Sequence, residues 1–86
     1  MIEFRTPHAA TAAAKRALRQ AGVLSLAGAR TSRCANDTFS TALLMCPSTT
    51  EEVYGWAASA LTNAGFTVAV YRDTDWVAAT SRQLHA

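Results

Sequence analysis

The sequence predicts a small α+β domain, and three observations favour this class. Two Ala-rich segments carry apolar residues at helical spacing, and each ends at a glycine, Gly22 or Gly65. The flanking segments alternate apolar and polar residues, as half-buried strands do. Half of the 86 residues are hydrophobic and 16% are charged, a composition that excludes a disordered chain. We therefore expect one domain over residues 1–86.

The first half is predicted as a strand, a helix and two further strands. Residues 1–5 alternate as a short strand, and Thr6 and Pro7 then provide an N-cap and a proline at the first helical position. The apolar stripe of this helix is formed by Ala10, Ala13, Ala14, Ala17, Leu18 and Ala21. After Gly22 we expect a strand over 23–27, a polar loop over 28–37 and a strand over 38–46.

The second half repeats this order. Ser48 or Thr49 is the expected N-cap, with Glu51 or Glu52 completing a capping box. The expected buried stripe of this helix consists of Val53, Trp56, Ala57, Ala60, Leu61 and Ala64. Beyond Gly65 the pattern predicts strands over 66–72 and 76–80, joined by a tight turn.

The two helical segments match in register about half a chain length apart. The matching pairs are Ala14 with Ala57, Ala17 with Ala60, Leu18 with Leu61, Ala21 with Ala64 and Gly22 with Gly65. We expect two αββ units, a pseudo-repeat, sharing one mainly antiparallel sheet with both helices on one face. The element order is the ferredoxin-like β-α-β-β-α-β plus a terminal strand. Alternatively, any two helices of Ala and Leu that end at Gly match at several positions by construction.

This arrangement leaves one face of the sheet uncovered. Inward side chains are expected to be Ile2, Phe4, Leu24, Leu26, Phe66, Val68 and Val70, and outward ones Glu3, Arg5, Ser25, Ala27, Thr67, Ala69 and Tyr71. Alternation does not decide between Trp76 and Val77 as the outward residue. The hypothesis is a homodimer, or docking of another protein, through a face that includes Arg5, Thr67, Ala69, Tyr71 and Trp76.

The alternative hypothesis is binding to nucleic acid. The cations proposed for it are Lys15, Arg16 and Arg19 on the first helix and Arg30 and Arg33 in the 28–37 loop. On the sheet, Tyr71 or Trp76 would stack bases while Arg5 and Arg72 hold phosphates. A solvated hairpin tip and a solvated helix face account for the same cations.

Catalysis is not expected. One combination of nucleophile and base is conceivable, namely Cys34 with His8 or His85 and with Asp37 to orient the histidine. The spacing of these residues in the sequence does not require that they meet. His85 is expected in a frayed tail. Cys34 and Cys46 are expected to be free thiols, and we expect no metal site and no cofactor. A small-ligand pocket in a dimeric ferredoxin-like enzyme is a third alternative.

Charge and hydropathy limit the partners and the cellular location that we expect for the protein. The formal net charge is +2, weak for a dedicated nucleic-acid module. No stretch approaches the length of a membrane span, and residues 1–8 lack a secretory signal pattern, so a cytoplasmic location without membrane contact is expected. The preference for Ala and Arg is typical of a GC-rich bacterial or phage genome. A small regulatory or accessory role is expected on size and fold analogy.

Overall fold

The computed structural model describes residues 1–85 as two helices and five strands. In chain order they are β1 (Glu3–Phe4), α1 (Pro7–Gln20), β2 (Leu26–Cys34), β3 (Thr38–Met45), α2 (Glu51–Asn63), β4 (Thr67–Tyr71) and β5 (Trp76–Gln83). A single 3₁₀ turn, Arg72–Thr74, joins β4 to β5. The α+β class expected from the sequence is confirmed.

The strands form one mixed, mainly antiparallel sheet with β5 in its interior. Strand β2 is one edge and pairs with β3, which pairs with β5. At the other edge, β4 pairs antiparallel with the first part of β5, and β1 pairs in parallel with Arg82 and Gln83 near its end. The Ile2 amide donates to the Gly65 carbonyl at 2.9 Å. Strands β1 and β4 therefore share one edge.

Local sequence explains where both helices begin and end. Thr6 caps α1 by accepting a hydrogen bond from the Ala9 amide at 3.1 Å, as predicted. The cap of α2 is Thr50, which accepts from the Val53 amide at 3.3 Å, so the prediction of Ser48 or Thr49 was wrong. Gly22 and Gly65 follow the helices with φ of 78° and 103°, a conformation that favours glycine.

The core lies between the helices and one face of the sheet. Buried side chains alternate along β3 and β5, since Phe39, Thr41, Leu43, Met45, Val77, Ala79 and Ser81 are all enclosed. Leu18 of α1 and Leu61 of α2 pack in the same cluster as Leu43 and Val77. Both helices therefore cover the same face.

Three threonines form a hydroxyl chain inside this layer. Thr11 Oγ1 donates to the Pro7 carbonyl at 3.1 Å, and it lies 2.6 Å from Thr31 Oγ1. Thr31 Oγ1 in turn lies 2.8 Å from Thr41 Oγ1. Each hydroxyl has one hydrogen, so Thr31 donates to Thr11 and Thr41 donates to Thr31. The chain connects α1, β2 and β3 and satisfies the buried Thr41 hydroxyl.

The region predicted as a loop over 28–37 is largely strand, so that prediction was wrong. Residues 28–34 pair with residues 38–44, and only the segment 35–37 turns between them. Asn36 and Asp37 adopt φ of 61° and 55°, which suits their short polar side chains. Because β2 is an edge strand with many exposed side chains, its sequence lacks the apolar alternation that would reveal a strand.

Two orientations expected from the sequence are also corrected. Strand β2 begins at Leu26, and Leu24 lies in the unpaired connection before it, where its side chain is 83% exposed. On α2, Ala57 and Leu61 of the expected stripe are buried, but Trp56 is 48% exposed and Tyr54, which lay outside the stripe, is buried instead. Apolar residues cover a broad arc of α2, so periodicity alone did not fix which side faces the core.

The end of the chain is attached to the domain as far as it is described. Strand β5 runs to Gln83, beyond the predicted end at residue 80. The Gln83 amide donates to the Asp37 carbonyl at 2.7 Å, and the Leu84 amide donates to the Phe4 carbonyl at 2.8 Å. The expectation of a frayed tail is therefore wrong up to His85. Neither helix of residues 1–85 has the length and apolar character needed to cross a membrane.

Candidate functional site: the open face of the sheet

The candidate site is the face of the sheet opposite the helices, which we call the open face. Directly opposite residues of neighbouring strands lie on the same face, so the pairing register defines rows across it. Each row runs from β2 across β3 and β5 to β4, except that the fourth row ends on β1. The first row is Gly28, Leu44, Trp76 and Tyr71; the second is Arg30, Ala42, Ala78 and Ala69; the third is Ser32, Ser40, Thr80 and Thr67; and the fourth is Cys34, Thr38, Arg82 and Glu3.

The first row is the apolar end of the open face. Tyr71 and Trp76 are direct cross-strand partners, and their exposures are 56% and 36%. Leu44 lies on the other side of Trp76 and is half-buried, while Gly28 leaves space beside Leu44 at the β2 edge. This row therefore places three large apolar side chains and one gap on the surface.

The other rows become progressively more polar. Ala42, Ala78 and Ala69 lie side by side in the second row, with Arg30 at the β2 edge. The third row consists of hydroxyl side chains, and the fourth contains Arg82 and Glu3. The open face is thus apolar at one end and hydrophilic at the other.

A partly buried polar contact fixes the position of the first row. Asp75, at φ 61°, precedes Trp76, and its carbonyl accepts from the Met45 amide at 2.8 Å. The Tyr54 hydroxyl donates to Asp75 Oδ1 at 3.1 Å. Burial raises the pKa of Tyr54 above its ordinary value of 10.0, and the hydrogen bond and the nearby charge of Asp75 act in the same direction. This contact ties α2 to the turn from which Trp76 emerges.

Four of the five residues expected on the uncovered face lie there together. Thr67, Ala69 and Tyr71 point outward from β4, and Trp76 rather than Val77 points outward from β5. Arg5 lies in the bend between β1 and α1, beyond the last paired residue of β1, so strand pairing does not place it in a row.

Sequence reasoning missed the β3 contribution to this face and the part of the β5 contribution beyond Trp76. Leu44, Ala42 and Ala78 supply its apolar centre. For Leu44 and Ala42, the signal in the sequence is the spacing, by even numbers of residues, of the large apolar residues Phe39, Leu43 and Met45, which take the core side of β3. Assigning those residues inward places Ser40, Ala42 and Leu44 outward.

The cations proposed for nucleic acid do not form one cluster. Arg30 pairs with Ala42 and belongs to the open face, whereas Arg33 pairs with the buried Phe39 and belongs to the helix side. Lys15, Arg16 and Arg19 are exposed on α1. Arg72 lies in the turn before β5 and forms an ion pair with Glu51.

The residues considered for catalysis are brought together in part. His85 Nε2 lies 3.0 Å from Asp37 Oδ1, an exposed contact at the β2–β3 turn. Cys34 is exposed at the end of β2, and His8 is exposed in the first turn of α1. Within residues 1–85, no three His, Cys, Asp or Glu side chains are grouped to hold a metal ion.

Comparisons with protein-family models, with curated proteins and with solved structures each find no match to this chain. The role of the open face is therefore inferred from its own geometry and chemistry.

Proposed function

We propose that the protein is a small non-enzymatic binding module that forms a homodimer through its open face. The observation that carries this proposal is the continuous apolar surface formed by the first two rows, from Leu44 and Trp76 to Ala69 and Ala78. In residues 1–85 no helix or loop covers this surface. A contiguous apolar patch of this kind is typical of an interaction site.

The size of the open face is near the lower limit for such an interface. With strands about 4.8 Å apart and alternate residues about 6.8 Å apart, the rows span about 19 by 27 Å. Two copies would then bury about 1,000 Å², which is close to the minimum for a specific protein–protein contact. Because so little area is buried, a stable dimer needs the apolar rows of one copy to lie against the apolar rows of the other.

The rows are self-complementary about a two-fold axis parallel to the strands. Such an axis keeps each row opposite its own copy and reverses its order, so Tyr71 faces the partner's Gly28 and Trp76 faces the partner's Leu44. The small second row allows close approach of the two sheets. An axis across the strands would instead place Trp76 and Tyr71 against charged Arg82 and Glu3, which costs desolvation.

Light scattering on a size-exclusion column, with detection of nucleic acid, tests the proposal. We expect a dimer free of nucleic acid. Ala69→Arg, which would face the partner's Arg30 about this axis, or Ala78→Glu, which would place a charge against the partner's Ala42, should convert it to a folded monomer. Ala69 is already exposed, so its variant should fold. Thr62→Glu, exposed on α2 away from the sheet, is the control and should stay dimeric. A monomeric native protein, or dimers that survive both changes, would refute the proposal.

The nucleic-acid hypothesis stays a second prediction, carried by the basic side chains of α1 and β2. As predicted from the sequence, this hypothesis placed Arg30 and Arg33 in a loop over 28–37. Because these residues occupy opposite faces of a strand, phosphate contacts would have to follow the β2 edge instead. Retention on heparin that falls with salt and with Arg30→Ala and Arg33→Ala together would support it.

We also propose that the domain is a structural pseudo-repeat of two αββ units with ferredoxin-like element order. Equivalent hydrogen bonds support this, since the Val23 amide donates to the Leu18 carbonyl and the Phe66 amide donates to the Leu61 carbonyl. The hairpins β2–β3 and β4–β5 also meet through β3 and β5, their second strands. A cytoplasmic, regulatory role without cofactor or metal completes the proposal.

A further inference from the structure

Strand β2 leaves a long stretch of backbone without a partner at the edge of the sheet. It contains nine residues, and among residues 1–85 it pairs with β3 alone. In an antiparallel pair, every second residue of an edge strand turns its N–H and C=O groups away from its neighbour. From Gly28 to Cys34 the register is regular, and no proline interrupts it. This edge is ready to accept another strand.

The opposite edge of the sheet is built differently. It is divided between β4, with five residues, and β1, with two. Short edge strands are one of the ways in which proteins prevent unwanted strand addition. Of the two edges, β2 therefore offers the longer continuous template.

The β2 edge belongs to a strongly basic part of the sequence. Six of the eight Lys and Arg residues lie between Phe4 and Asn36, and this stretch contains no Asp or Glu. These six are Arg5, Lys15, Arg16, Arg19, Arg30 and Arg33. In residues 1–85 the two ion pairs are Arg72 with Glu51 and His85 with Asp37, so none of the six has an acidic partner. Of the six, Arg30 and Arg33 lie on β2 itself, and Lys15 and Arg19 lie beside its start, so the charge at this edge favours an acidic ligand.

An apolar recess adjoins the start of β2. It is lined by Leu18, Val23, Leu24 and Leu26, with the cations Lys15 and Arg19 at its margin. Leu24, at 83% exposure, is the most exposed large apolar side chain of the described residues. This combination fits an apolar side chain with acidic neighbours.

Two other occupants fit this edge less well. Pairing of two β2 edges from two copies would bring the arginines of both strands together, and like charges across strands are destabilising. Single-stranded nucleic acid usually stacks its bases on aromatic side chains. No Phe, Trp or Tyr lies between Phe4 and Phe39, so α1 and β2 themselves supply none.

We propose that the β2 edge binds an extended acidic segment of another protein by strand addition. Main-chain hydrogen bonds supply the pairing, and Arg30 and Arg33 select acidic side chains. Because these arginines lie on opposite faces of β2, the acids opposite them must also be on opposite faces, three residues apart. Acids two residues apart would lie on one face and meet only one arginine.

Binding of synthetic peptides tests this specificity. The probe is a fluorescent, capped ten-residue peptide of Thr and Val with two Glu residues three positions apart. We expect saturable binding, with amide hydrogen exchange slowed in β2 and unchanged in β4. Affinity should fall roughly tenfold when the Glu residues are two positions apart, and further when Lys replaces them. Equal binding of all three peptides, or no binding of the first, would overturn the proposal.

Protein variants locate the binding site. Arg30→Glu with Arg33→Glu should weaken the first peptide by at least roughly tenfold, and Arg30→Gln with Arg33→Gln should have an intermediate effect. The control, Arg5→Glu with Arg82→Glu, changes net charge equally away from β2 and should bind within about twofold of the native protein. Circular dichroism verifies that each variant is folded. Tighter binding of a 12-nucleotide oligothymidylate than of the peptide, lost in the Arg30 and Arg33 variants, would assign the edge to nucleic acid instead.

The β2 edge shares outward side chains such as Arg30 with the open face, but the second row also contains residues far from this edge, so different variants test the two proposals. The charge variants at Ala69 and Ala78 should retain peptide binding even where they abolish dimerisation, because these residues lie on β4 and β5.

Discussion

The two faces of the sheet are made by alternate residues of the same strands, yet they differ in what covers them. On the helix side of β3 and β5, Phe39, Leu43 and Val77 are fully enclosed. On the open face of the same strands, Leu44, Ala42 and Ala78 are half-buried with no layer above them. The helix side thus contains the residues that stabilise the protomer, and the open face contains the apolar residues through which we propose dimerisation.

Truncating a leucine on each face should give the largest difference. Leu43→Ala removes a fully buried side chain from the core and should lower the free energy of unfolding by about 2–5 kcal/mol. Leu44→Ala, its neighbour on the open face, should cost the dilute protomer about 1 kcal/mol, but should weaken the proposed dimer. Urea unfolding and light scattering provide the two readouts. Equal losses of stability would show that the faces are not energetically distinct.

Of the two glycines that follow the helices, Gly65 should tolerate substitution by alanine less well than Gly22. A Cβ at Gly65 would lie 3.0 Å from Ile2 Cβ, whereas at Gly22 it would meet no atom within 4 Å. Both glycines have positive φ, so alanine at either should cost about 1–2 kcal/mol from backbone strain. Gly65→Ala should cost more because it also displaces β1. Thermal unfolding of the two variants tests this, and equal melting temperatures would contradict it.

Alkaline pH should weaken the helix-covered side through Tyr54. Because its folded-state pKa is raised above 10.0, the folded protein holds the phenol proton more tightly than the unfolded chain does. This contribution to stability is complete below about pH 10 and is lost as the pH rises through the raised pKa. Urea unfolding across this range should show the decline, and Tyr54→Phe should reduce it. Tyr71→Phe on the open face is the control and should leave the decline intact.

The smallest difference in stability between the two faces should come from replacing one serine on each face by alanine. Ser81 is fully buried on the helix side, and its hydroxyl has no hydrogen-bond partner within residues 1–85. Ser81→Ala should therefore raise the free energy of unfolding by up to about 1 kcal/mol. Ser40→Ala on the open face should change it by less than about 0.5 kcal/mol. Destabilisation by Ser81→Ala in urea unfolding would mean that this hydroxyl is satisfied in solution.

The predictions from the sequence that succeeded depend on local interactions, although the local N-cap of α2 was placed one or two residues too early. Thr6 and Pro7 start α1 through contacts within one helical turn, and Gly22 and Gly65 end the helices through their own backbone freedom. The outward positions of Thr67, Ala69 and Tyr71 followed from strand alternation. These features depend on residues only a few positions apart, so the sequence alone determined them.

Tertiary structure decided the features that depend on distant partners. Residues 28–34 became a strand because β3 supplies their hydrogen bonds, although their own pattern resembles a loop. Tyr54 rather than Trp56 entered the core because the packing of α2 and the hydroxyl contact with Asp75 fix the rotation of that helix. The rows of the open face likewise exist only through strand register. The chemical character of each segment was set locally, whereas which side chains meet was set by the assembled sheet.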